Sequence, residues 1–125
     1  MNKSFALIVE DDPDAATIFS EALQAAGFET EIIRSGDTAL ERLAVTTPDV
    51  VVLDLRLPHV SGPDILHRIR TDSRLTKTRI IVASAHSHIA ETIRQEADLV
   101  LLKPISFSQL RALAAILDPA RSSSN

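Results

Sequence analysis

The sequence predicts an α/β fold with a parallel sheet and helices between the strands, and three observations carry that prediction. Short apolar runs recur along the chain, at Phe5–Val9, Val50–Leu53, Arg79–Ala83 and Leu99–Leu102. Apolar residues at helical spacing fill the segments between them, the alternation expected of repeated βα units. A polar side chain then closes each run: Glu10-Asp11-Asp12 after the first, Asp54 after the second, Ser84 after the third and Lys103-Pro104 after the fourth. Buried parallel strands that end in charge place that charge at the carboxyl edge of the sheet, where open α/β sheets hold ligands.

Each element follows from its residues in turn. After the first strand, Pro13 suits the first turn of a helix, and Asp12 before it is a good N-cap. Ala15, Ala16, Ile18, Phe19, Ala22, Leu23 and Ala26 recur at helical spacing until Gly27 stops the helix. Phe28–Ile33 reads as a short second strand, and Ser35-Gly36-Asp37 opens a helix carrying Ala39, Leu40, Leu43 and Ala44. Pro48 ends that segment before the Val50–Asp54 strand. Residues 55–62 form a loop longer than most βα connections, which marks it as a working loop. A third helix carries Ile65, Leu66 and Ile69, and the Arg79–Ser84 strand follows. The segment His86–Ala97 reads as a fourth helix with a thin stripe of Ile89, Ala90, Ile93 and Ala97. Ser106-Phe107-Ser108-Gln109 is a capping box for the last helix, whose buried stripe is Leu110, Leu113, Ala114 and Leu117.

Composition narrows the function classes. At 125 residues, 45% of them hydrophobic and none cysteine, the chain is large enough for one core without disulfide or metal staples. A net charge of −4 argues against direct nucleic-acid binding by this domain. No run reaches the roughly 20 apolar residues of a membrane span, so the expectation is a cytoplasmic protein with no membrane association. Residues 1–118 make one domain, and the polar residues 119–125 read as a tail or the stub of a linker.

Carboxylates gathered at adjacent strand ends repel one another unless a cation joins them. Mg2+ (or Mn2+) suits such a site because it takes oxygen ligands and is commonly held by one or two carboxylates plus a phosphate. A carboxylate can also attack phosphorus to give an acyl phosphate. Phosphoryl transfer asks the protein chiefly for positioning and charge neutralisation, which a metal and Lys103 can supply together. Alone, each element has a plainer reading. The acidic turn serves as a helix cap, Asp54 as a salt-bridge partner of Lys103, Lys103-Pro104 as a loop breaker and Ser84 as a structural hydroxyl. His86-Ser87-His88 lacks a third soft ligand nearby and reads poorly as a transition-metal site. Arg68, Arg70, Arg74, Lys77 and Arg79 form a basic patch read as a solvated face, with an acidic partner as the lesser alternative.

Taken together, these strand-end residues resemble the receiver domain of two-component response regulators over about residues 4–118. The resemblance implies a doubly wound (βα)5 flavodoxin-like sandwich whose five parallel strands run in the order 2-1-3-4-5. It implies Asp54 as phosphoacceptor, Glu10 and Asp11 as the acidic pair for Mg2+, and the backbone carbonyl of Arg56 completing the metal shell. Ser84 matches the switch hydroxyl, Lys103-Pro104 the lysine before a cis proline, and Leu57–Gly62 the loop after the acceptor. Arg56 and His86 flank the path of attacking water in this family, so their bulk should set the lifetime of the phosphorylated state. Ala85 is small and would leave the acceptor open to a donor.

Two positions depart from the family pattern. Val100 stands where an aromatic residue is usual, in a chain with no Tyr or Trp, and Glu96-Ala97 stands where Gly-Ala is usual. The implied function is a phosphorelay switch, not an enzyme. A sensor histidine kinase or histidine phosphotransfer protein would be the donor, and a downstream protein of unknown identity the target. The chain would be a monomer or a phosphorylation-dependent dimer. The alternative is a small Mg2+-dependent phosphatase of haloacid-dehalogenase type, which normally needs a second Asp where this chain has Arg56.

Overall fold

A computed structural model describes residues 3–122. Its strands are β1 (Ser4–Val9), β2 (Phe28–Ile33), β3 (Val50–Asp54), β4 (Arg79–Ser84) and β5 (Leu99–Leu102). They alternate with α1 (Pro13–Ala25), α2 (Gly36–Val45), α3 (Gly62–Thr71), α4 (Glu91–Glu96) and α5 (Phe107–Leu117), and α6 (Pro119–Ser122) follows. All four pairings are parallel, in the order β2-β1-β3-β4-β5. The expected doubly wound sheet is therefore present.

Period-two alternation in the strands sorts side chains onto two cores. Ala6, Ile8, Val50, Val52, Ile81 and Ala83 pack with Phe19, Leu23 and Leu110 of α1 and α5. Leu7, Val9, Val51, Leu53, Ile80 and Val82 pack with Leu43, Ile65, Leu66 and Ile69 of α2 and α3. β1 and β3 are neighbours, yet the chain leaves β1 for β2 on one side and reaches β3 on the other. That reversal opens a crevice at their carboxyl ends, and Glu10 and Asp54 lie beside it.

The caps behave as their residues dictate. Asp12 accepts from Ala15 N–H at α1, and Ser106 accepts from Gln109 N–H at α5. Gly27 follows α1 with φ 103°, a left-handed conformation that favours glycine. One expectation needs correction. The fourth helix is Glu91–Glu96, shorter than His86–Ala97: its N-cap is Ala90, which offers no capping side chain, and it buries no residue. Residues 119–122 of the expected tail form the helical turn α6, whose Ala120 N–H donates to Asp118 Oδ1 at 3.0 Å; the remainder, 123–125, lies outside the described residues. Between α3 and β4, Ser73–Leu75 make a 3-10 turn that buries Leu75. Among the described residues no helix is long and apolar enough to cross a membrane.

Candidate functional site

β1 delivers Glu10 to the sheet edge and holds it there, because Glu10 N–H donates to Ile33 carbonyl oxygen of β2 at 2.9 Å. Its side chain is 1% exposed. β3 delivers Asp54, 5% exposed, whose Oδ1 accepts from the backbone N–H of Arg56 at 3.1 Å. Carboxylate oxygens of Glu10, Asp11 and Asp54 all come within 4.8 Å of one another. No other group of three or more metal-capable side chains lies this close among the described residues, and His86 and His88 take no part.

Lys103 enters from the end of β5. Its Nζ is 2.7 Å from Glu10 Oε1 and 3.5 Å from Asp54 Oδ2. The nearer contact is a close ion pair to a buried Glu10 oxygen that has no other hydrogen-bond partner. Burial pushes the Glu10 carboxyl up to about 7; Lys103 opposes the shift and the neighbouring Asp54 adds to it. Burial alone would lower the Lys103 ammonium, but contacts with Glu10 and Asp54 outweigh it and raise the pKa. Three crowded carboxylates, one of them held partly protonated, fit a small hard dication well.

Two glycines let the surrounding backbone close on this edge. A Cβ at Gly62 would come 2.5 Å from the carbonyl oxygen of Asp54, and one at Gly36 would come 2.1 Å from that of Val60. Gly36 N–H donates to Pro58 carbonyl oxygen at 3.2 Å, binding α2 to the loop after Asp54. His59, in that loop, has φ 72°, and Arg56 is exposed.

Ser84 is buried at the end of β4, one strand away from Asp54, which aligns with Ala83. Its hydroxyl oxygen accepts from His86 N–H at 3.0 Å and donates to His86 carbonyl oxygen at 3.0 Å. Its own carbonyl oxygen accepts from Lys103 N–H at 2.7 Å, and the Lys103–Pro104 peptide bond is cis. Ala85 and His86 are exposed, whereas Val100 is half-buried. The residues named from sequence thus share one edge, but the Ser84 hydroxyl is engaged with His86.

Sequence reasoning missed a second polar centre below the site. Arg70 of α3 donates to the carbonyl oxygens of Glu96 at 2.6 Å and Thr78 at 2.9 Å, and to Asp98 Oδ2 at 2.8 Å. Asp98 also accepts from Ile80 N–H at 2.7 Å and pairs with Arg79 at 3.2 Å. Arg74 pairs with Asp72. Three of the five cations in the basic patch are therefore bound within the chain. The available signal was Asp98 placed immediately before β5, beside the start of β4, where Arg79 stands.

Residues 6–115 match the model of the family described as the response regulator receiver domain. The phosphate regulon transcriptional regulatory protein PhoB of Rhizobium meliloti is 34% identical over 108 residues, spanning 84% of this chain and 48% of that protein. The DNA-binding response regulator MtrA of Mycolicibacterium smegmatis is 31% identical over 106 residues, 85% of this chain and 46% of that protein. This chain therefore spans less than half the length of these two curated relatives. A receiver domain from Methylobacillus flagellatus superposes with TM-score 0.84 at 28% identity, covering 94% of this chain and 100% of the other. The response regulator TrrA of Thermotoga maritima, solved in complex with Mg(2+)-BeF, gives TM-score 0.80 at 28% identity, covering 91% and 98%.

Proposed function

Because this chain belongs to the response regulator receiver domain family, we propose that it is a phosphoacceptor switch that receives a phosphoryl group on Asp54. The observation that carries this reading is the convergence of Glu10, Asp11 and Asp54 within 4.8 Å, with Lys103 Nζ 3.5 Å from the acceptor carboxylate.

In the proposed reaction a carboxylate oxygen of Asp54 attacks the phosphorus of a phosphohistidine on a kinase or phosphotransfer protein. The P–N bond breaks, the imidazole leaves carrying a proton, and an aspartyl phosphate remains. Glu10, Asp11, the far oxygen of Asp54 and the carbonyl of Arg56 would hold Mg2+, which supplies charge neutralisation to the phosphoryl oxygens when bound. Lys103 balances the same oxygens from the other side, and Ser84 donates a hydrogen bond to one of them after leaving His86. Ala85 leaves the approach open, while Arg56 and His86 hinder the water that hydrolyses the product. The altered surface then binds a partner protein, so the output is recognition and not turnover.

No observation favours the phosphatase alternative, and Arg56 occupies the position of its general acid. Incubation with Mg2+ and acetyl phosphate, followed by intact mass measurement, tests the reading. One added phosphoryl group is expected on the wild type and none on Asp54→Asn. Steady phosphate release from many monoesters, without an adduct, would instead support a phosphatase.

A further inference from the structure

Two strands are preceded by the same device at the amino edge of the sheet. Asp49, immediately before β3, donates its N–H to the Phe5 carbonyl oxygen at 2.8 Å, and its Oδ2 accepts from the Phe5 N–H at 2.8 Å. Asp98, immediately before β5, donates to the Ile80 carbonyl oxygen at 2.9 Å, and its Oδ2 accepts from the Ile80 N–H at 2.7 Å. Each aspartate thus closes a ring with both main-chain polar groups of the second residue in the neighbouring strand. Asp49 also reaches a third strand, because its carbonyl oxygen accepts from the Arg79 N–H at 3.0 Å.

These rings matter because the strands carry little other record of their register. Ala6–Val9 and Val50–Leu53 are buried on both faces of the sheet and are apolar throughout. Alternation fixes register where one face is buried, and it has nothing to act on when both are. β5 is an edge strand of four apolar residues, none of them fully buried. The polar ends of the strands are what remains to hold them. Ala6 with Val50 through Val9 with Leu53 pair without a break, so the clamped pair Phe5–Asp49 lies five residues before Glu10–Asp54. In the same way Ile80–Asp98 lies five residues before Ala85–Lys103. Five residues of strand span about 16 Å.

We propose that Asp49 and Asp98 are positioning residues for phosphoryl transfer: Asp49 sets where Asp54 stands against Glu10, and Asp98 sets how far Lys103 reaches toward both. The inference rests on Asp54 accepting a phosphoryl group. Neither aspartate touches a reacting atom, and each acts along the length of one strand. A misplacement of about 1 Å at a reacting group costs up to roughly a hundredfold in rate, and that is well under the 3.3 Å or so of a single strand residue. A small loss of register at the amino edge is therefore felt at the carboxyl edge, where oxygens of Glu10, Asp11 and Asp54 must stay within 4.8 Å of one another.

Asp49→Asn keeps an oxygen for the Phe5 N–H and Asp49→Ala does not, so the pair isolates that hydrogen bond. NMR of the folded, metal-free chain gives the first readout. The Arg56 amide, which donates to Asp54 Oδ1 at 3.1 Å, should shift in Asp49→Ala and stay in place in Asp49→Asn. Calorimetry should then find Mg2+ bound about tenfold more weakly by Asp49→Ala, with Asn restoring the affinity, and uptake from acetyl phosphate should slow in parallel. Asp98→Ala should instead move the Lys103 amide, which donates to the Ser84 carbonyl oxygen at 2.7 Å, and slow uptake without weakening Mg2+. A folded Asp49→Ala with the wild-type Arg56 amide and Mg2+ affinity overturns the proposal, as does an Asn variant impaired as much as Ala. Where Asp49→Ala does not fold, Asp98→Ala decides: an unmoved Lys103 amide with a wild-type uptake rate overturns it. Failure of acetyl phosphate to modify wild-type Asp54 overturns the functional reading itself, and it is seen before any variant is compared.

Discussion

The ammonium of Lys103 stands closer to Glu10, at 2.7 Å, than to the Asp54 carboxylate that follows β3's last apolar residue, at 3.5 Å. One cation thus faces the acid proposed to hold metal as well as the acid proposed to accept phosphate. Lys103 and a divalent ion then compete for the same Glu10 oxygen. Lys103→Ala is expected to bind Mg2+ more tightly, by roughly tenfold at low salt, yet to take up phosphate from acetyl phosphate more slowly. Calorimetric titration at a pH where Glu10 is ionised, paired with a time course by intact mass, checks both directions.

The buried Glu10 carboxyl gives a pH dependence of definite sign. Burial raises it from 4.5 to about 7, against the opposing pull of Lys103 and with the help of Asp54. An acid raised in the folded state stabilises the fold below its unfolded pKa, and that contribution is lost as pH rises through the folded value. In EDTA, wild type should lose stability between about pH 4.5 and 7 relative to Glu10→Gln, which has no proton there to lose. Mg2+ binding needs the ionised form, so below about 7 it should release a proton and weaken as pH falls. Thermal unfolding across this range, and titration in buffers of different ionisation enthalpy, measure the two effects.

Much of this fold was legible because its signals are local. Val50–Leu53 and Phe5–Val9 are apolar without interruption, as strands buried on both faces must be, and the helix caps at Asp12 and Ser106 announce themselves. The strand-end acids and Lys103 were legible for the same reason: each is read from one run and one punctuation mark. What stayed hidden depends on contacts between distant segments. Arg70 looked like one cation of a solvated face, and only tertiary packing puts it within reach of Glu96, Thr78 and Asp98. The fourth helix was overread because Ile89 and Ala90 fit a helical stripe, while nothing local reveals that this helix would bury no side chain. The attachment of Ser84 to His86 lies two residues along the chain, but it depends on a backbone turn that periodicity cannot show.

Gly62 allows α3 to start against the backbone of Asp54. A methyl there would meet the Asp54 carbonyl oxygen and the Leu55 Cα, each at 2.5 Å, and both are backbone atoms that cannot swing aside. Gly62→Ala should therefore cost about 1–3 kcal/mol and slow phosphoryl uptake by moving Asp54. Urea unfolding gives the first quantity and the acetyl phosphate time course the second.

Arg70→Ala should destabilise the chain by about 2–4 kcal/mol, because it leaves Asp98 short of a partner and two carbonyl oxygens unsatisfied. Arg70→Lys should recover little, since a single ammonium cannot span three acceptors set out for a planar fork. Denaturant midpoints of the two variants provide the comparison, and near-complete rescue by lysine would contradict it.

Chemical trapping of the phosphorylated group tests the central claim most directly. The chain is incubated with Mg2+ and acetyl phosphate, reduced with borohydride, digested and sequenced by mass spectrometry. An acyl phosphate on Asp54 is reduced to the alcohol, so homoserine should appear at position 54 and at no other acid. Homoserine at Glu10 or Asp11, or an unreduced Asp54 in protein that carries the added phosphoryl mass, would contradict the account.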